Sequence, residues 1–201
     1  MAAYLCLSFC LSDTSSSKIS KALEEMRLPV IVGIIGGLQS GKVSFSKLLQ
    51  KHLADKHKLT SYVLNSKNNP ELINVKKEHD LEEVFESAKA DVVMVAGVTL
   101  LQNEKLRAQL DFRIFLESDA DQRLAEFIKK AKKGPDDDVE AIMEQYFTQV
   151  KPSYEQTLQW KDHAHFFAEP DMSEEKMGLL GLMIKDMVQK HHELADLLHL
   201  H

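Results

Sequence analysis

The chain has 201 residues, of which 44% are hydrophobic and 28% charged, and this composition is typical of one globular domain with a buried core. Its net charge of −6 gives no electrostatic reason to bind a polyanion, and the sequence carries no DNA-reading or RNA-reading motif, so no nucleic-acid partner is expected. The two cysteines, Cys6 and Cys10, lie in one short segment and cannot cross-link a core, which favours a reducing compartment, the cytoplasm.

We interpret residues 1–28 as an N-terminal appendage, partly disordered or docked on another surface, and residues 29–201 as the folded domain. The apolar stretch at residues 2–11 is too short to span a bilayer and has no basic leader before it. A membrane anchor or secretory signal is therefore not predicted.

A glycine-rich loop between a predicted strand and a predicted helix is the most informative feature of the chain. The strand is the β-branched apolar run at residues 28–35, and the helix is the amphipathic stretch at residues 42–58. The loop and the start of the helix consist of Gly36, Gly37, Leu38, Gln39, Ser40, Gly41, Lys42 and Val43, followed by Ser44. This spacing is that of a phosphate-binding P-loop, in which glycines let backbone N–H groups surround phosphate oxygens and a lysine adds a point charge.

The last position of this loop departs from the P-loop pattern. A P-loop ends in Ser or Thr because that hydroxyl is a ligand of the Mg²⁺ that bridges the nucleotide phosphates. Here the position holds Val43, which has the shape of threonine without its oxygen. The loop therefore predicts an ATP or phosphate site and argues against Mg²⁺ at that site.

Strand and helix patterns alternate through the rest of the domain. The predicted strands are residues 60–64, 91–96, 112–116 and 166–167, and the predicted helices are residues 80–88, 119–133, 136–150 and 173–198. Strands separated by helices indicate an α/β fold in which helices cover both faces of a parallel sheet. Ligands of such folds bind at the carboxyl ends of the strands, where the P-loop would lie.

Several segments, taken in order, resemble the uridine/cytidine kinase family of P-loop nucleoside kinases. They are the glycine loop, the strand segment at residues 90–97, residues 115–121 with Arg123 and Leu124, and residues 145–152 with Glu155 beyond them. The resemblance implies a P-loop NTPase-type, three-layer fold with a five-stranded parallel sheet. It also implies an ancestral reaction that transfers the γ-phosphate of ATP to a nucleoside 5′-hydroxyl.

The resemblance also identifies positions where this chain lacks the family's groups for metal binding and proton transfer. Val43 replaces the metal-binding hydroxyl, and the third strand ends in Ala96 where the family has a glutamate near the metal. Lys67 lies nearest to the family's general base, and an ammonium cannot accept a proton. If the metal and the base come from elsewhere, Ser44, Asp80 and Glu117 are the candidates; no metal site is predicted.

The family's phosphate lid and nucleoside pocket are altered as well. Arg123 remains from a helix that carries several phosphate-clamping arginines in the family, whereas the later lid positions are lysines, at residues 129, 130, 132 and 133. Gln145 matches a glutamine that contacts the nucleoside. Residues 66–90 are shorter than the family's nucleoside-clamping segment, which predicts a truncated acceptor pocket.

These losses lead to three functional hypotheses. The first is a degenerate, catalytically impaired kinase-like protein with a residual ATP site and a regulatory or assembly role, which would involve a protein partner or a homo-oligomer. The second is an active nucleoside kinase or another small-molecule kinase, with Lys42 and Arg123 as its candidate catalytic residues. The third is a purely structural module with a vestigial P-loop.

Overall fold

The computed structural model describes residues 29–65, 89–134 and 137–198. The strands are β1 (Val30–Ile35), β2 (Ser61–Asn65), β3 (Val92–Gly97), β4 (Phe112–Leu116) and β5 (Phe166–Ala168). The helices are α1 (Lys42–His52), α2 (Glu104–Ala108), α3 (Ala120–Ala131), α4 (Val139–Gln145), α5 (Lys151–Leu158) and α6 (Glu174–Leu198). The predicted appendage at residues 1–28 and the predicted helix at residues 80–88 lie outside the described residues.

The five strands form one parallel sheet in the order β2-β3-β1-β4-β5. The central strand β1 pairs with β3, which places Ile35 opposite Gly97, and with β4, which places Ile35 opposite Phe115. The residues that follow Ile35 therefore leave the sheet beside the carboxyl ends of two neighbouring strands. This arrangement confirms the predicted parallel sheet and the position of the P-loop at its carboxyl edge.

Hydrophobic residues pack on both faces of the sheet, as the apolar strand patterns predict. On one face, α1 and α6 contribute Phe45, Leu49, Leu180 and Ile184 to the larger core. The other face buries Leu100, Leu101, Leu106 and Leu110, with Trp160 at its margin. Helices on both faces confirm the three-layer α/β architecture.

Two connections differ from the sequence-based prediction. The helix predicted to end at Val150 continues through a π-helical turn, Tyr146–Val150, into α5. Pro152 is the second residue of α5, directly after the π-helical turn, and it does not end the helical segment. The short helix α2 was also not predicted; the side chain of Asn103 caps it by accepting from the backbone N–H groups of Lys105 and Leu106.

The C-terminal helix α6 is amphipathic along its 25 residues. Met177, Leu180 and Ile184 face the core, whereas Leu179 and Leu182 are exposed. Across the three described ranges, the model contains no helix with both the length and the apolar character needed to cross a membrane.

Candidate phosphate-binding site

The glycine loop starts at the end of β1 and is held against the end of β4. A Cβ atom on Gly36 would lie 2.9 Å from the carbonyl oxygen of Leu116 and 2.7 Å from Oγ of Ser40. These distances are shorter than real Cβ contacts, so only glycine allows the loop to approach β4 so closely. The first glycine of the motif thus fixes the loop to the sheet.

Left-handed residues shape the second half of the loop. Gln39 has a φ of 62° and Gly41 has a φ of 78°, and Gly41 immediately precedes α1. Alternation of right-handed and left-handed residues lines up successive N–H groups around a concavity that suits an anion. The N-terminus of α1 follows directly and adds the positive end of its dipole.

Lys42 extends its side chain back over this loop. Its ammonium donates to the carbonyl oxygens of Gly36 at 3.0 Å and Gly37 at 2.6 Å, and it lies 3.4 Å from Oγ of Ser40. Burial, followed by the nearby positive charge of Lys130, lowers the pKa of Lys42 to about 8. The site therefore holds a desolvated cation beside loop geometry that suits an anion.

The neighbouring positions do not provide the oxygen atoms that a magnesium ion needs. Val43 in the first turn of α1 is 36% exposed, and Ala96 is buried near the end of β3; neither side chain carries a donor oxygen. Among the residues that the model describes, no group of three or more His, Cys, Asp or Glu side chains is arranged to hold a metal. Within the described part of the chain, positions 43 and 96 therefore offer no side-chain ligand to Mg²⁺.

Of the substitute groups predicted from the sequence, Ser44 and Glu117 lie in the described part of the chain. Ser44 is exposed next to Val43, and Glu117, just after β4, is paired with Lys161. Asp80 and Lys67 lie outside the described residues. Gln145 is exposed at the end of α4. Ser44 and Glu117 are not joined by a hydrogen bond, and the contact of the Glu117 carboxylate is with Lys161.

Arg123, in α3, is buried, with 4% of its surface exposed. Its guanidinium stacks on the ring of Tyr154 at 3.5 Å from the ring centroid and donates to the carbonyl oxygen of Ser118. The same tyrosine packs against Gly37, where a Cβ atom would collide with its ring. Arg123, Tyr154 and Gly37 thus form a stack that joins α3 and α5 to the loop.

Lys130 links the last turn of α3 to the loop by a second route. Its ammonium donates to the side-chain oxygen of Gln39 at 2.5 Å, and it lies 3.9 Å from Glu126. The sequence analysis named Lys130 only as one of the lysines at the family's lid positions, without its contact with the loop, and it missed Tyr154. Neither motif spacing nor helix periodicity signals contacts between segments so distant in sequence.

Comparison with known proteins places the chain in a family. The model of the family described as Phosphoribulokinase / Uridine kinase family matches residues 66–166. A uridine kinase from Streptococcus uberis is 26% identical over 172 residues, covering 66% of this chain and 82% of that protein. The alignment has 172 positions, which is more than 66% of this 201-residue chain. The aligned part of the relative therefore contains residues that have no counterpart in this chain.

Two further similarities cover a shorter sequence segment and the overall fold. A uridine kinase from Chlamydia pneumoniae is 31% identical over 80 residues, covering 40% of this chain and 35% of that protein. A solved structure of a candidate fructose transport system kinase from Silicibacter sp. TM1040 has a TM-score of 0.55 at 13% identity, covering 76% of this chain and 98% of that one. The structural likeness shows the P-loop kinase fold alone, whereas the family match, which spans half of the sequence, shows ancestry. The chain belongs to the phosphoribulokinase/uridine kinase family.

Proposed function

We propose that this protein binds the phosphates of a nucleotide on its P-loop, is impaired as a phosphotransferase, and acts as a regulator or assembly subunit. The observation that carries the proposal is the contrast between Lys42, which lies over an intact loop, and Val43, which replaces the metal-binding hydroxyl. ATP is the expected nucleotide because the family consists of kinases.

The binding part of the proposal rests on groups that act together on an anion. The loop supplies left-handed turns at Gln39 and Gly41, α1 supplies its N-terminus, and Lys42 supplies the charge. Loss of the lysine would remove the only ammonium of the motif itself while leaving the backbone in place. Nucleotide affinity should therefore depend on Lys42.

The impairment part rests on missing oxygen atoms. Val43 and Ala96 occupy two positions from which the family reaches its metal, and neither has an oxygen. Asn65 ends the described part of β2, on the way to the family's general-base position, which lies outside the described residues. Each catalytic group of this kind is typically worth about a hundredfold in rate or more, so their joint loss supports a slow or inactive enzyme.

An active kinase with another acceptor is the second candidate, and Glu117 is the observation that favours it. This carboxylate follows β4 at the carboxyl edge of the sheet, and its side chain is 42% exposed. Its ion pair with Lys161 would have to open before it could accept a proton.

The assembly role draws support from the outer face of α6. Leu179, Leu182 and Met183, which lie within about one turn of one another, are exposed there, although the same helix buries leucine and isoleucine on its other face. Exposed apolar clusters mark association surfaces more often than isolated apolar residues do. Sedimentation of the protein should show a dimer or a larger assembly that Leu179→Lys with Leu182→Lys reduces to monomer; a wild-type monomer at all concentrations would remove homo-assembly from the proposal.

Calorimetric titration with ATP and ADP tests nucleotide binding. We expect wild-type protein to bind and Lys42→Ala to lose at least about tenfold in affinity, the loss typical of a charged hydrogen-bonding group. Lys47→Ala is the matched control because Lys47 is an exposed lysine of the same helix. The loop would be vestigial if millimolar nucleotide gave no heat, or if both variants bound like wild type.

A transfer assay with uridine and cytidine as acceptors and γ-labelled ATP as donor tests the impairment. We expect label transfer by wild-type protein to equal that of Lys42→Ala. Phosphorylation that requires Lys42 would show a working enzyme, and the second candidate would replace the first.

A further inference from the structure

The position of Lys130 suggests how a P-loop without metal ligands can still hold a polyphosphate. We propose that Lys130 provides the positive charge that a divalent cation supplies elsewhere in the family, so that this loop binds the diphosphate or triphosphate group of a nucleotide without metal. The inference rests on the proposed nucleotide binding and specifies the form of ligand that this site takes: a metal-free polyphosphate.

The contacts of Lys130 place its charge at the loop. Its ammonium is 2.5 Å from Oε1 of Gln39, a residue within the glycine motif whose φ of 62° belongs to the loop's left-handed turns. The contact spans 91 positions in the sequence and joins the last turn of α3 to the loop. Lys130 therefore reaches the site as part of the tertiary fold.

Two lysines from distant segments of the chain, Lys42 and Lys130, therefore contact the same loop. Lys42 donates to loop carbonyls, and no carboxylate of the described residues forms an ion pair with it. The repulsion from Lys130 contributes, after burial, to the lowered pKa of Lys42. Among the described carboxylates, none pairs with both lysines; an anionic ligand would relieve the repulsion between the two charges.

Lysine suits this replacement for chemical reasons. An ammonium is a compact point charge that needs no fixed ligand geometry, whereas Mg²⁺ requires near-octahedral oxygen donors. The ion pairs of Lys130 and Lys129 with Glu126 are exposed and long, at 3.9 Å and 3.7 Å, so they offer little resistance to a phosphate. A phosphate oxygen could replace the side-chain oxygen of Gln39 as the acceptor for Lys130.

Titration of wild-type protein with ATP and ADP, in excess EDTA and in excess Mg²⁺, separates the two sources of charge. We expect affinity in EDTA to equal or exceed affinity in Mg²⁺, since metal on the phosphates lowers the charge that the lysines attract. Binding seen only in Mg²⁺ would overturn this inference and leave nucleotide binding standing. Absence of binding in both conditions would remove the proposed function itself.

Two neighbouring lysines provide a matched pair of variants. Lys130→Ala should weaken binding in EDTA by about tenfold, because a charged hydrogen bond is lost, whereas Lys129→Ala should change it less than about twofold. Both lysines lie near Glu126, but only Lys130 contacts the loop. Equal weakening by both substitutions would show a diffuse charge effect and overturn the role of Lys130. Unchanged melting temperatures confirm that neither exposed substitution disturbs the fold.

Discussion

The phosphate side and the metal side of this P-loop are built from different kinds of groups. On the phosphate side, Gly36, Gly41 and Lys42 act through backbone shape and one buried ammonium. On the metal side, Val43 and Ala96 present hydrocarbon where the family presents oxygen. The phosphate side depends on how the backbone packs against the sheet, whereas the metal side depends on single side-chain atoms.

If the metal side is impaired, as we propose, this difference accounts for the persistence of the phosphate side. Replacement of an oxygen by a methyl group on an exposed residue such as Val43 leaves the core unchanged, whereas a side chain at Gly36 would collide with the backbone of β4. Stability therefore preserves the phosphate loop even without selection for activity. A retained P-loop is by itself evidence of a fold, and only ligand binding distinguishes a working site from a relic.

The stack of Arg123 on Tyr154 gives the largest expected effect on the phosphate side. Arg123→Ala should lower the free energy of unfolding by about 3 kcal/mol, because it empties a buried site and removes a cation–π contact. Denaturant unfolding measures the change, with the exposed neighbour substitution Gln122→Ala as control. If Arg123 serves only a bound phosphate, unfolding will be unchanged and nucleotide affinity alone will fall.

A glycine pair tests whether the loop is part of the domain's packing. Gly36→Ala should destabilise the fold by about 2 kcal/mol, since the new methyl group meets the carbonyl of Leu116. Gly178→Ala on α6 meets nothing within 4 Å and should stabilise the helix by up to about 1 kcal/mol. Thermal unfolding of both variants gives the comparison; equal melting temperatures would mean that the loop is not anchored to β4.

The sequence allowed most of the sheet to be predicted because its strands are short apolar runs buried on both faces. Val92 to Ala96 is such a run, and it corresponds to β3 nearly to the residue. The segment after Val150 was missed because Pro152 reads as the end of a helix, although the helical segment continues through this proline.

The site was only partly predictable for a related reason. The motif identifies Lys42 and Val43 at once, because neighbours in the sequence form the loop. Tyr154 and Lys130 act through contacts with residues far away in the chain, and no local spacing encodes which lysine of α3 faces Gln39. Such contacts become visible only when the helices are placed on the sheet.

Restoring one oxygen sharpens the contrast between the two sides. Val43→Thr keeps the side-chain shape and adds the missing hydroxyl, so the ratio of ATP affinity in Mg²⁺ to affinity in EDTA should rise by up to about tenfold. Calorimetry in the two media measures this ratio, and Val43→Ala serves as the control without an oxygen. An unchanged ratio in Val43→Thr would mean that the hydroxyl alone does not restore the metal side and that the carboxylate missing at Ala96 is also required.

The titration of Lys42 gives the smallest expected effect and tests the phosphate side directly. Its pKa is lowered to about 8, by burial first and by Lys130 second, so the free site loses its ammonium charge as the pH rises through that value. A phosphate binds the charged form, and binding above this pKa must therefore take up a proton. Affinity for ADP should fall about threefold between pH about 7.5 and about 8.5, where the phosphate's own charge is nearly constant.

Two variants assign this pH dependence to a residue. Lys42→Arg stays charged throughout and should give a flat profile across the same interval. Lys130→Ala removes the repulsion, so the pKa of Lys42 should rise and the fall in affinity should begin at higher pH. Calorimetry in two buffers with different ionisation enthalpies measures the proton uptake. A wild-type profile without proton uptake would contradict a direct contact between the Lys42 ammonium and the phosphates, because such a contact requires the charged form of the lysine.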